Sequence, residues 1–336
     1  MNILQLIPTV TRRQAAEVGT HPRRTGRAWR LIGSLALAAA LLGNLPDSHA
    51  AEAAQAFATP EEAVRALADA VSTTNRAEFV VLFGDAAKEL VNPDSVQGAT
   101  EMANFATAFQ TAHRLVVDSD SRRTLEVGAD AWPFPIPLVK TADGWRFDTV
   151  AGTDEILNRR IGRNELDVLR VIRAYVQAQR EYAAADRDGD AVREFAQHIR
   201  SLPGQTDGLF WWPSVNGEIS PLGPLFAYAQ NEGYAAYVPA TQEAGPKPFH
   251  GYLFKILKAQ GKSAPGGKYR YVINGNMIGG FGLVAWPAEY GNSGVMTFIV
   301  NHQGRIYERD LGTKTGKIAA KLDAFDPALG WQVSTD

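Results

Sequence analysis

Cysteine is absent from all 336 residues. That excludes disulfides, thiolate catalysis, iron–sulfur clusters and cysteine-ligated zinc. Beyond residue 50 the sequence also lacks any apolar run of the ~18 residues that a bilayer-spanning helix needs, which sets an integral membrane protein aside. A dominant charge sign is missing too: 34 Lys and Arg face 36 Asp and Glu, a formal net of −2. What is there, 45% apolar and 21% charged residues, is enough to pack a core. At ~100–200 residues per domain the length predicts two domains.

The first fifty residues set the address. Arg12, Arg13, Arg23, Arg24, Arg27 and Arg30 face the single acid Glu17 within residues 1–30, and the apolar run Leu31-Ile-Gly-Ser-Leu-Ala-Leu-Ala-Ala-Ala-Leu-Leu-Gly43 follows. Ser48-His49-Ala50 then offers small residues at the −3 and −1 positions of a cleavage site. A signal peptide over residues 1–50, cleaved after Ala50, is expected, with a periplasmic or secreted product that has no transmembrane segment. Removing residues 1–50, whose six Arg and two acids (Glu17, Asp47) give +4, leaves the mature chain at −6. With no basic face in view, nucleic acid is not an expected partner.

The rest reads as α+β, divided into an N-terminal part over 51–150, a connector over 151–165 and a C-terminal part over 166–336. Thr59-Pro-Glu-Glu62 is a helix start, and apolar residues at 63, 64, 67, 70 and 71 continue it. Helices over 76–83 and 98–113 follow, then strands over 115–117, 124–127, 136–140 and 145–148, the last two joined at Ala142-Asp143-Gly144. A long helix carries Leu166, Leu169, Ile172, Tyr175, Val176 and Tyr182 on one face, and further helical turns are expected over 191–199. Residues 203–250, rich in Pro, Gly and aromatics, read as ordered loop with a short helix over 225–232. An antiparallel meander over 251–257, 269–273, 280–286, 295–300 and 305–309 and a helix over 315–325 close the chain.

Candidate chemistry is sparse. His113 and Asp148 are the groups available to a pocket between the N-terminal helices and sheet. Gly291-Asn-Ser-Gly294 is similar to a serine-protease nucleophile loop, with His250 upstream, but the surrounding pattern is missing. Among the mature chain's histidines, His113, His198, His250 and His302, none is spaced as a zinc pair, so neither metal nor cofactor is assigned. Asp186, Asp188 and Asp190 resemble a calcium loop, yet Ala191 and Gln197 stand where an EF-hand needs Gly and Glu. Arg159, Arg160 and Arg163 open a helix whose macrodipole opposes them, so they require partners, with Asp207 and Glu289 as candidates. Together with Glu165, Trp211, Trp212, His250 and Tyr290 they form the candidate ligand-binding or interdomain set, and no residue is assigned as catalytic.

Three resemblances bear on these readings. Trp132-Pro-Phe-Pro-Ile-Pro137, the stretch Asn158-Arg-Arg-Ile-Gly-Arg-Asn-Glu-Leu166, Ala264-Pro-Gly-Gly267 and Pro287-Ala-Glu-Tyr-Gly-Asn-Ser-Gly-Val-Met-Thr-Phe298 resemble the bacterial domain-of-unknown-function family 2950. That resemblance implies export and supplies no reaction. The order of helices followed by a curled sheet ending in Gly144-Trp-Arg-Phe-Asp148 resembles the nuclear-transport-factor-2 cone. The long helix followed by a Gly/Pro-rich loop and a meander resembles the globular part of type IV pilins and pseudopilins, without their apolar filament segment. The expectation is a non-enzymatic binding or scaffolding module of the bacterial cell envelope, its partner an envelope protein or glycan. The alternative is a periplasmic glycan or ester hydrolase using carboxylate or His residues in an interdomain cleft.

Overall fold

The computed structural model describes residues 54–73, 76–187, 189–212, 217–234, 247–328 and 330–335, all within a single compact unit. The expected signal peptide, residues 1–50, lies outside the described residues, as does Asp188.

Thr59 starts α1 (Pro60–Thr73) by accepting the Glu62 N–H at 3.2 Å through Oγ1, and Ala63, Val64, Leu67, Ala70 and Val71 are buried as their spacing requires. Then come α2 (Arg76–Phe83), a 3-10 helix (Asp85–Leu90) and α3 (Ser95–Thr111). The third helix begins three residues before its expected start, because Asp94 caps it: Oδ1 accepts the N–H groups of Val96 and Gln97, both at 3.2 Å. Five strands follow: β1 (His113–Ser119), β2 (Arg122–Val127), β3 (Trp132–Pro133), β4 (Leu138–Thr141) and β5 (Gly144–Phe147). They pair antiparallel in the order β1-β2-β4-β5, with β3 on β2. The space between helices and sheet is filled by phenylalanine rings, Phe83 on Phe147 at 5.0 Å and Phe105 on Phe134 at 5.3 Å, so this half has an aromatic core.

Residues 151–165, expected as a connector ahead of the helix, are helix themselves. Helix α4 runs unbroken over Thr149–Tyr182, started by Asp148, which accepts the Ala151 N–H at 3.2 Å, and no proline interrupts it. Residues 191–199 are not helical. The Ala196 N–H and carbonyl both bond the Gln179 side chain at 2.9 Å, and the Phe195 N–H donates to the Met277 carbonyl, so α4 and Met277 take the groups that a helix would have used. The chain then forms β6 (His198–Arg200), parallel to β7 (Gly208–Phe210), and α5 (Gly223–Asn231).

The C-terminal sheet contains β8 (Tyr252–Leu257), β13 (Gly282–Pro287), β14 (Met296–Asn301), β15 (Tyr307–Asp310) and β16 (Gln332–Val333), antiparallel in that order. Residues 269–273 do not join it. They divide between β10 (Tyr269–Arg270), paired with β9 (Ala259–Gln260), and β11 (Val272–Ile273), paired with β12 (Asn276–Met277). They are divided at Tyr271, whose ring is fully buried and whose hydroxyl donates to Gln260 Oε1 at 3.1 Å. Every position of β13 is buried: Leu283 and Ala285 share a cluster with Val168, Ile172 and Tyr175 of α4, whereas Val284 and Trp286 pack with Ala319 and Phe325. The final helix α6 is short, Thr315–Ala319, because Phe325 leaves to donate its N–H to the Ala259 carbonyl at 2.9 Å.

Candidate functional site

Four segments far apart in sequence meet on one face of α4: the chain from Leu90 to Glu101, the 249–252 turn, the 289–294 loop and Tyr234. The meeting point is a polar seam between the two halves. Arg160 is 5% exposed. One of its terminal nitrogens donates to Asn292 Oδ1 and the other to the Leu90 carbonyl at 2.6 Å, while Nε makes no hydrogen bond among the described residues. Burial lowers the Arg160 pKa, and Glu101 and Glu289 at longer range act against that. Asn292 completes the crossing by donating from Nδ2 to the Val91 carbonyl at 3.2 Å and to Glu289 Oε2 at 3.0 Å.

One turn further along α4, Asn164 is fully buried. Its Oδ1 accepts from Gln97 Nε2 at 2.8 Å, and its Nδ2 donates to the Ser293 carbonyl at 2.9 Å. Glu165 Oε1 receives the Val295 and Met296 N–H groups, both at 2.9 Å, and the Tyr252 hydroxyl lies 3.4 Å away. Burial first, then the Glu165 charge, pushes the Tyr252 phenol well above its ordinary range. Backbone approach here is close enough to require glycine. At Gly251, with φ +72°, an added Cβ would sit 2.6 Å from Asn164 Nδ2 and 2.9 Å from Ser293 Cβ.

Asp94 serves both halves. Its Oδ1 caps α3, and its Oδ2 accepts the Tyr234 hydroxyl at 2.7 Å and the Gly251 N–H at 3.2 Å. Beside it His250, in a left-handed backbone conformation at φ +49°, points Nδ1 at Asp167 Oδ2 (3.6 Å) and Nε2 at Glu232 Oε2 (3.3 Å). Phe249 and Tyr234 close over its ring at 4.2 and 5.9 Å. A hydrogen bond with Glu232, aided by burial, pushes the Tyr228 phenol up to about 12.

The expected cluster therefore assembles only in part. Arg160, Glu165, Glu289 and His250 meet at the seam, and Arg163 pairs with Glu101 on its rim. Arg159 faces outward, paired with Glu155 at 2.6 Å and stacked over Trp132 at 4.9 Å. Asp207 is not an arginine partner; its carboxylate accepts the Leu202 N–H at 3.0 Å and closes a local turn. Trp211 of the expected set is buried in the core, and Trp212 packs against that core. Tyr290 donates to Asp310 at 3.1 Å. Ser293 cannot serve as a nucleophile: it is fully buried, and its hydroxyl accepts the Glu289 N–H at 3.0 Å and donates to the Glu289 carbonyl at 3.2 Å. His113 contacts the Phe109 carbonyl and Asp148 caps α4, so the two do not line a common pocket. Asp186 accepts the Gly189 and Ala191 N–H groups, and Asp190 accepts from Val192 and Asn276; among the described residues no three His, Asp or Glu side chains could hold a metal.

Asp94, Gln97, Asn164 and Tyr234 carry much of the seam and are absent from the expected set. Asn92-Pro93-Asp94-Ser95, a turn running into a helix cap, was the available signal for the first.

The same segments also decide the family. A family model described as "Protein of unknown function (DUF2950)" matches residues 54–334. The chain belongs to this family. The DUF2950 match spans both halves and the whole seam, so helix α4 and the loops that lock onto it lie within a single family unit. No curated protein and no solved structure gives a significant match.

Proposed function

We propose that this DUF2950 protein is an exported, non-enzymatic binding or scaffolding module of the bacterial cell envelope. In this reading the N-terminal half is a nuclear-transport-factor-2-like cone, the C-terminal half is pilin-like, and the partner is an envelope protein or glycan. One observation carries it: Arg160 and Glu165, two of the charged groups nearest the seam, are spent on the Leu90 carbonyl, Asn292 and the Val295 and Met296 N–H groups rather than left for a substrate. A hydrolase would need a carboxylate and a proton donor aimed at one substrate position, and exposed Glu289 bonds Asn292 of its own loop.

Fractionation of cells and crosslinking of the native protein test this reading. Recovery outside the cytoplasm, with a specific envelope protein or glycan crosslinked, is expected. Turnover of a glycosidase or esterase substrate that is lost in Glu289→Gln or His250→Ala would overturn it.

A further inference from the structure

Charge is divided unevenly along the chain. Residues 51–246 hold 17 Lys and Arg against 28 Asp and Glu, a net of −11, whereas residues 247–336 hold 11 against 6, a net of +5. Part of that excess is focused at α6. Lys314, Lys317, Ile318 and Lys321 follow one another at helical spacings of three, four and seven, and all four are exposed, Ile318 at 40%. The 3-10 helix Gly312–Lys314 and the turn after Ala319, where Lys321 N–H donates to the Ile318 carbonyl, extend the stripe past both ends of α6. Thr315 and Ala319 on the opposite side are fully buried against the sheet, which fixes the stripe outward.

The three lysines make no ion pair among the described residues. The nearest acid in sequence, Asp323, is already taken by Lys255 Nζ at 3.1 Å, and that same amine donates to the Ala320 carbonyl at 2.8 Å. Asp310 is engaged by the Tyr290 hydroxyl and the Gly312 N–H. Three free ammonium groups around one exposed branched aliphatic side chain complement a surface that is anionic outside and apolar a few ångströms deeper.

We propose that the α6 stripe is a peripheral docking surface for a bilayer rich in anionic lipid headgroups, with Lys314, Lys317 and Lys321 on the headgroups and Ile318 entering the interface. An acidic protein surface would answer the lysines but not Ile318. The acidic remainder of the chain, repelled by the same headgroups, orients the molecule with α6 toward the membrane. Among the described residues no helix is long and apolar enough to span, so the contact is superficial. The proposal names a partner for the envelope module of the preceding section. The two fail separately, since a cytoplasmic location would remove the envelope reading and leave vesicle binding untouched.

Cosedimentation of the mature chain, residues 51–336, with vesicles decides it. Binding is expected to vesicles of phosphatidylethanolamine and phosphatidylglycerol, not to phosphatidylcholine, and is expected to be lost at about 0.5 M NaCl, where screening is short-ranged. Each lysine is worth about fivefold, so Lys314→Gln, Lys317→Gln and Lys321→Gln together should weaken binding roughly a hundredfold. Ile318→Ser should weaken it further, while Lys88→Gln with Lys140→Gln should leave it unchanged; unaltered melting curves establish that all variants fold. No binding to anionic vesicles at low salt, equal binding to neutral ones, or wild-type binding by the triple variant overturns the proposal. Salt-sensitive dimers in sedimentation velocity that the triple variant abolishes would assign the stripe to a second copy and also overturn it.

Discussion

Asn164, midway along α4, donates from Nδ2 to the carbonyl of Ser293 at 2.9 Å, across 129 residues of sequence. Its other side-chain atom is bonded to Gln97, so one amide spans both halves of the molecule. Truncation leaves a buried amide and a buried carbonyl without partners. At roughly 1–3 kcal/mol for each such group, Asn164→Ala should destabilise by about 2–6 kcal/mol, read as a lower urea midpoint with an unchanged slope.

Gly251→Ala separates crowding from backbone preference. Gly251 (φ +72°) is pressed against Asn164 and Ser293, whereas Gly267 (φ +76°) has nothing within 4 Å of an added Cβ. Gly267→Ala should cost about 1 kcal/mol for its left-handed backbone, and Gly251→Ala about 2 kcal/mol more, because the bonded Asn164 amide and the Ser293 Cβ must both shift. Equal melting temperatures for the two variants would contradict the packing described.

The two arginine contacts should differ in strength. Arg160 is buried and bonded to Asn292, whereas Arg163 and Glu101 pair with side chains 50% and 31% exposed. A double-mutant cycle to alanine should give a coupling of about 1.5–3 kcal/mol for Arg160 with Asn292, and below about 1 kcal/mol, falling with salt, for Arg163 with Glu101.

His302 supplies a pH dependence. Burial, then the Arg180 charge, holds its folded-state pKa below the ordinary 6.5. As pH falls the unfolded chain therefore takes up the proton first. The stability contribution is complete above 6.5 and is lost as pH drops from there toward the lower folded value. Urea unfolding between pH 7 and about 5 should show a shallower loss in His302→Gln than in the wild type.

Local periodicity made α1 legible, since its five apolar positions are all buried. It also marked the body of α4 but not its first four turns, where polar residues such as Asn158 and Arg159 resemble a solvated connector. Although α4 begins at Thr149 and places the arginines in its interior, beyond the reach of its N-terminal charge, they stood out as residues at a helix start. Their partners did not: Asn292 lies 132 residues from Arg160 and Gly251 lies 157 from Asp94, separations that no local pattern encodes. Asp207 misled for the converse reason, as its carboxylate is used five residues away. The departure of residues 269–273 from the sheet depends on Tyr271 reaching Gln260, which alternation in sequence cannot show.

The seam locks the two halves into one folding unit, and native-state hydrogen exchange across a urea series tests this most directly. Amides of β2, among them Leu125, and of β14, among them Ile299, both fully or almost fully buried in separate cores, should converge on a single opening isotherm. In Arg160→Ala that isotherm should split. Two isotherms in the wild type, separated by more than about 1 kcal/mol, would contradict the account.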